Sequence, residues 1–161
     1  MHQSVAPLAQ LYKFNDAVLD MALQDIRPAD QFVRPMEKAN SINFIVGHIT
    51  STRFVTASLL GQKSEAPWGD IYGRGKRIDP DVAYPDLVEL LAAWRQQSVV
   101  IGELLEQATE EQLAAEAPFQ PPGNPKTILG AVAFLLAHEA IHLGQLSYAR
   151  RLLGYDRAFD K

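Results

Sequence analysis

Apolar residues recur at three- and four-residue intervals through four stretches of the chain, a helical period rather than an extended one. Leu8, Leu11, Tyr12, Val18, Leu19 and Ala22 predict a first helix from about Ala6 to Ile26, ended with the help of Pro28. Ile42, Ile45, Val46, Ile49, Phe54 and Leu59 predict a second, opened by Asn40 or Ser41 as N-cap and closed by Gly61. A third runs from Asp86, after Pro85, to about Gln107, with Leu87, Leu90, Leu91, Trp94, Leu104 and Leu105 inward. The fourth starts at Thr127 and stops before Gly154. Thr109, with Gln112 three residues on, reads as a capping box opening a short extra helix. Residues 62–84, with Pro67, Gly69, Gly73, Gly75 and Pro80, read as a loop long enough to be functional or mobile. No strand alternation is evident. The pattern predicts an all-α fold, an antiparallel four-helix bundle with one short extra helix, spanning residues 1–161 as a single domain.

Composition narrows the functional classes. The 161 residues are 47% hydrophobic and 21% charged, enough for one ordinary core. A net charge of −4 argues against a nucleic-acid partner. The basic run Arg74–Arg77 reads as a solvated loop, and Arg150 and Arg151 as cations suited to a helix end. No signal-peptide pattern is seen at the N-terminus, and no apolar stretch is read as long enough to span a bilayer. The expected location is therefore cytoplasmic, with no membrane partner. There is no cysteine, so a metal would have to be held by His, Asp or Glu.

The chain has four histidines. His2 falls at an end expected to fray. His138 and His142 are four apart, which stacks them on one helix face about 6 Å apart at Cβ. Two imidazoles so placed reach one ion at about 2.1 Å. Phe134, Leu135, Ile141 and Leu146 put this stripe on or beside the inward side. His48, among Ile45, Val46, Ile49 and Thr52, is inward on the second helix, and Gly47 permits close approach of a neighbour. Three inward histidines on two helices favour a shared metal over core histidines that only hydrogen-bond.

The stretch "HEAIHLGQ" also spells the HExxH of zinc peptidases. No His or Glu follows His142 to serve as a third ligand, Gln145 and Tyr148 stand where a longer zincin motif needs Gly and His, and no strand offers a substrate edge. A peptidase is therefore disfavoured. Glu139 reads as an exposed or boundary carboxylate pairing with a neighbouring helix, or as an acceptor behind a ligand histidine.

Taken in order, "NFIVGHITSTRFVTASLLG" and "TILGAVAFLLAHEAIHLGQLSYARRLLG" resemble the DinB-like superfamily, which includes bacillithiol transferases and the metal-binding part of mycothiol-dependent maleylpyruvate isomerase. The resemblance covers about Leu8 to Gly154. It implies a bundle, usually dimeric, holding one divalent metal with His48, His138 and His142. Zinc or nickel is commonly implied, and three neutral imidazoles suit iron as well. Three protein ligands leave a position open, the pattern of catalytic sites. The implied chemistry is a small thiol activated at the metal and transferred to a small-molecule electrophile. Metal-dependent hydrolysis on the same site is the rival reaction. A non-catalytic metal- or ligand-binding stress protein is the alternative of another class.

Further residues bear on the surroundings of the site. Gln145 shares the histidine stripe and could bond a ligand histidine, a bound water or the facing backbone, in a supporting or packing role. Asn43 lies at the site mouth or makes a helix-entry hydrogen bond. Trp68 is a candidate lid, whereas Trp94 is core and Tyr72 a possible pocket wall. Arg53 and Arg95 read as solvated helix-face residues, with recognition of a substrate carboxylate as the alternative.

Overall fold

Ser41 opens the second long helix through its hydroxyl, which accepts from the Phe44 amide at 3.2 Å and satisfies one of the orphan donors of a helix start. Asp86, Thr109 and Thr127 cap three more helices in the same way. The computed structural model describes residues 3–63 and 65–158; His2 lies outside them. Within these residues the elements are α1 Ala6–Leu23, α2 Ile42–Leu59, α3 Gly69–Tyr72, α4 Leu87–Gln107, α5 Glu110–Ala114 and α6 Ile128–Leu152, with one 3₁₀ turn at Pro28–Asp30. No strand occurs among the described residues, and the fold is all-α.

Gly61 ends α2 at φ 102°, with the Gln62 amide donating back to the Ala57 carbonyl at 2.9 Å. Gly154, at φ 90°, ends α6 similarly. Both stops were legible as glycines that tolerate the left-handed conformation.

Three local expectations are corrected. α1 stops at Leu23 rather than Ile26, because Asp25 turns the chain at φ 62° and Arg150 of α6 donates to the Ala22 and Gln24 carbonyls. The capping box at α5 is half formed: Gln112 Nε2 donates to the Leu60 carbonyl at 2.8 Å, tying α5 to the end of α2. The long 62–84 connection contains α3, whose Tyr72 is fully buried.

α2 packs against α4 and α6, and α1 packs against the same two helices. The apolar interior divides into two clusters along the helix axes. One includes Tyr12, Ala57, Ile101 and Leu136; the other includes Val18, Ile49, Trp94 and Leu143. Between these positions, all four long helices contribute polar residues: Asn15 and Asp16, Arg53, Ser98, and Glu139. Leu11, expected inward, is 49% exposed. Contrary to the sequence expectation, α6 is long and apolar enough to cross a membrane by length and composition alone. Here it packs along α1 and α2 and buries Glu139.

Candidate metal centre

His48 on α2 and His138 and His142 on α6 bring their Nε2 atoms together. His138 Nε2 lies 3.4 Å from His48 Nε2 and 3.1 Å from His142 Nε2. Ligand nitrogens about 2.1 Å from one ion at tetrahedral angles are about 3.4 Å apart, so the donor set fits a single divalent ion. The three histidines form a group that could hold a metal ion.

Two tautomers are fixed from behind. His48 Nδ1 donates to the Tyr72 backbone carbonyl at 2.7 Å, and His142 Nδ1 donates to Gln145 Oε1 at 2.8 Å. Carbonyl oxygens can only accept, so Nδ1 carries the proton and the Nε2 lone pair faces the common point. His138 Nδ1 is buried without a hydrogen-bond partner among the described residues; its ring packs near Phe134, with centroids 6.1 Å apart. Burial, with the neighbouring His142 and His48, lowers the His138 pKa to about 4. Burial also lowers that of His142, then His48 lowers it further while Gln145 opposes the shift. Neutral imidazoles are the metal-binding form.

The Tyr72 carbonyl is placed by a close helix contact. A Cβ added at Gly47 would meet the Tyr72 ring at 2.3 Å, so the ring occupies the space this glycine leaves. The Tyr72 hydroxyl donates to Asn43 Oδ1 at 2.7 Å, and Asn43 Nδ2 donates to the Pro85 carbonyl at 2.8 Å. Burial raises the Tyr72 pKa well above the usual phenol value, which keeps the hydroxyl a donor. Asn43 therefore tethers loops at the α2 entry and lies behind the His48 support, not at the site mouth.

Glu139 is 1% exposed and Arg53 fully buried, so the reading of both as surface residues is corrected. Arg53 Nη2 and Nε donate to Glu139 Oε1 and Oε2 at 2.8 and 2.9 Å. Asn15 Nδ2 donates to Oε1 at 3.0 Å. Arg53 Nη1 reaches Asp16 Oδ1 at 2.7 Å, which also accepts from Trp94 Nε1 at 2.8 Å. The guanidinium lies 3.3 Å from the Trp94 ring centroid. Burial alone would lower the Arg53 pKa, but Glu139 and then Asp16 outweigh it and the pKa is raised. Glu139 thus pairs with a neighbouring helix, as one sequence reading held, but inside the protein. Arg95 stays on the surface, 3.6 Å from Asp20.

The histidines are half-buried rather than enclosed, because their stripe lies at the edge of the inward face. Ile141, expected to mark that face, is 63% exposed. Beside His48 and His138 opens a cavity of about 380 Å³, walled by Val55, Phe119 and Phe134 and reached by Arg74. Trp68 does not line it; this residue packs, partly buried, against the apolar cluster around Tyr72. The rim is instead supplied by Gly73 and Arg74 after α3 and by residues of the α5–α6 connection.

The DinB superfamily model matches residues 11–146, and the chain belongs to that superfamily. Among solved structures, the chain is similar to the conserved protein of locus from Enterococcus faecalis, with a TM-score of 0.73 at 15% identity, covering 94% of this chain and 98% of that one. At that identity the likeness is one of fold. No curated protein is significantly similar to the chain.

Proposed function

We propose that this protein is a metal-dependent transferase that joins a low-molecular-weight thiol to a small electrophile. The observation that carries the reading is the convergence of the three Nε2 atoms, with two of the rings held from behind by Tyr72 and Gln145. His48, His138 and His142 would hold the ion, zinc or nickel by family resemblance. A bound divalent ion supplies Lewis-acid charge, which favours the thiolate of a thiol brought to it. The chain's own contribution is positional. Tyr72 and Gln145 orient the rings, the Arg53–Glu139 pair locks α2 against α6, and the adjoining cavity gives the electrophile a partly dry seat. In the transfer, the sulfur electron pair forms the new S–C bond, the bond to the leaving group breaks, and the thiol proton departs with that group.

The test is turnover by zinc- and nickel-reconstituted protein with a panel of small thiols and electrophiles, beside ester and peptide panels. The reading expects thiol conjugates from the parent and none from His138→Ala/His142→Ala. Thiol-independent ester cleavage would reassign the site to hydrolysis. Metal binding with inertness to every panel would favour a non-catalytic binder.

A further inference from the structure

The cavity beside the histidines has a chemical polarity of its own. Its walls are mostly apolar, with Ser51, Thr52 and Gln120 as neutral polar residues among them: Phe119 from the α5–α6 connection and Phe134 from α6 meet edge to face, with centroids 6.3 Å apart, and Val55 of α2 is 45% exposed next to them. His48 and His138 form one boundary. Arg74 also lines the cavity, and the lining includes no carboxylate. Arg53 and Arg150 are buried and satisfied by carboxylates or carbonyls. Arg74, by contrast, is exposed and has no ion pair or hydrogen bond among the described residues. A volume of about 380 Å³ lies within the range of small-molecule sites. Aromatic walls favour a flat or branched apolar body, and an unpaired guanidinium favours a planar oxyanion, which it can bind through two parallel hydrogen bonds.

We propose that the electrophile is an anionic aryl or branched-alkyl compound, its apolar body between Val55, Phe119 and Phe134 and its carboxylate, sulfonate or phosphate on Arg74. The inference rests on the metal-site reading above and names the substrate class for that site. Arg74 is then a specificity-determining residue, which the basic run Arg74–Arg77 did not reveal because it reads as an ordinary solvated loop.

Naphthalene-2-sulfonate, a weak metal ligand, and its neutral methyl sulfone analogue are the probes. Their binding is measured by calorimetry and NMR shift mapping on the metal-free and zinc-loaded protein, with zinc content recorded on the same samples. The sulfonate is expected to bind more tightly than the sulfone and to shift resonances of Phe119, Phe134 and Val55. Arg74→Gln should weaken the sulfonate by about tenfold and leave the sulfone unchanged. Val55→Asp, at an exposed position, should weaken the sulfonate through repulsion while zinc content is retained. Equal binding of the two probes, absence of binding by both, or indifference of the sulfonate to Arg74→Gln would overturn the inference. Any of these with zinc still bound leaves the metal reading standing. Failure of the parent to take zinc would count against the metal reading instead.

Discussion

Arg53 and Glu139 form a two-point ion pair, at 2.8 and 2.9 Å, in a layer where neither is accessible to solvent. Arg53 stands five residues after His48 on α2, and Glu139 directly follows His138 on α6. The pair therefore fixes the register of the two helices that must present their histidines to one point. Asn15, Asp16, Ser98 and Trp94 complete the bonding from α1 and α4, so all four long helices meet in this layer.

Removing one member leaves its partner's charge buried with fewer partners. Glu139→Gln is expected to destabilise the protein by about 3 kcal/mol, the lower end for broken buried pairs because Asp16 still faces Arg53. The double variant Arg53→Met/Glu139→Leu should recover a large part of that loss, since it strands no charge. Urea unfolding of the metal-free proteins measures both; a single variant as stable as the parent contradicts the buried-pair account.

Gly47 is expected to tolerate no side chain. In Gly47→Ala the new methyl would enter the Tyr72 ring, so Tyr72 must move and carry its carbonyl away from His48. Overpacking of this kind costs about 1–3 kcal/mol. Zinc affinity should fall along with stability. Unchanged affinity would show that His48 does not need this carbonyl.

Gln145 offers a cleaner separation, because it is exposed and, among the described residues, its side chain bonds only His142. Gln145→Leu should weaken zinc binding by about 10- to 100-fold, as loss of a partner behind a ligand does. The metal-free protein should change in stability by less than about 0.5 kcal/mol. A competition titration with a chromophoric chelator reads the first quantity and thermal unfolding the second.

In the metal-free protein, acid should act through His138. Its folded pKa, about 4, lies below the unfolded value of 6.5, so between these values the unfolded chain binds the extra proton. Stability from this group is complete above about pH 6.5 and declines as the pH falls toward 4. His138→Asn should flatten the decline over that window. An identical pH profile in the variant would assign the acid sensitivity to other groups.

Much of this architecture could be read in the sequence because it is written in local rules. Ser41, Asp86, Thr109 and Thr127 cap helices at the expected places, and Gly61 and Gly154 stop them. The i, i+4 spacing of His138 and His142, with a third histidine beside Gly47, marked the three residues that converge. What escaped was set by distant partners. The acceptor for His48 is a backbone carbonyl in a four-residue helix, and no side chain announces it. Arg53 reads as a surface charge and Glu139 as an exposed or boundary one, yet a signal is present. Arg53 is the sole charged side chain of α2 and Glu139 the sole acid of α6, and such isolated, opposite charges in apolar helices suit one buried pair. Asn43 reads as near the site from its spacing to His48 and Trp68 as a lid from its place in the long connection, whereas loop tethering and packing against the Tyr72 cluster occupy them.

The central claim is that His48, His138 and His142 together hold one metal ion. Metal content after zinc reconstitution and desalting, compared between the parent and the single variants His48→Ala, His138→Ala and His142→Ala, tests it most directly. The account predicts one zinc per chain in the parent and substoichiometric, easily chelated zinc in each variant that remains folded by circular dichroism. A parent that retains no zinc, or a folded His48→Ala that retains it as tightly as the parent, would contradict it.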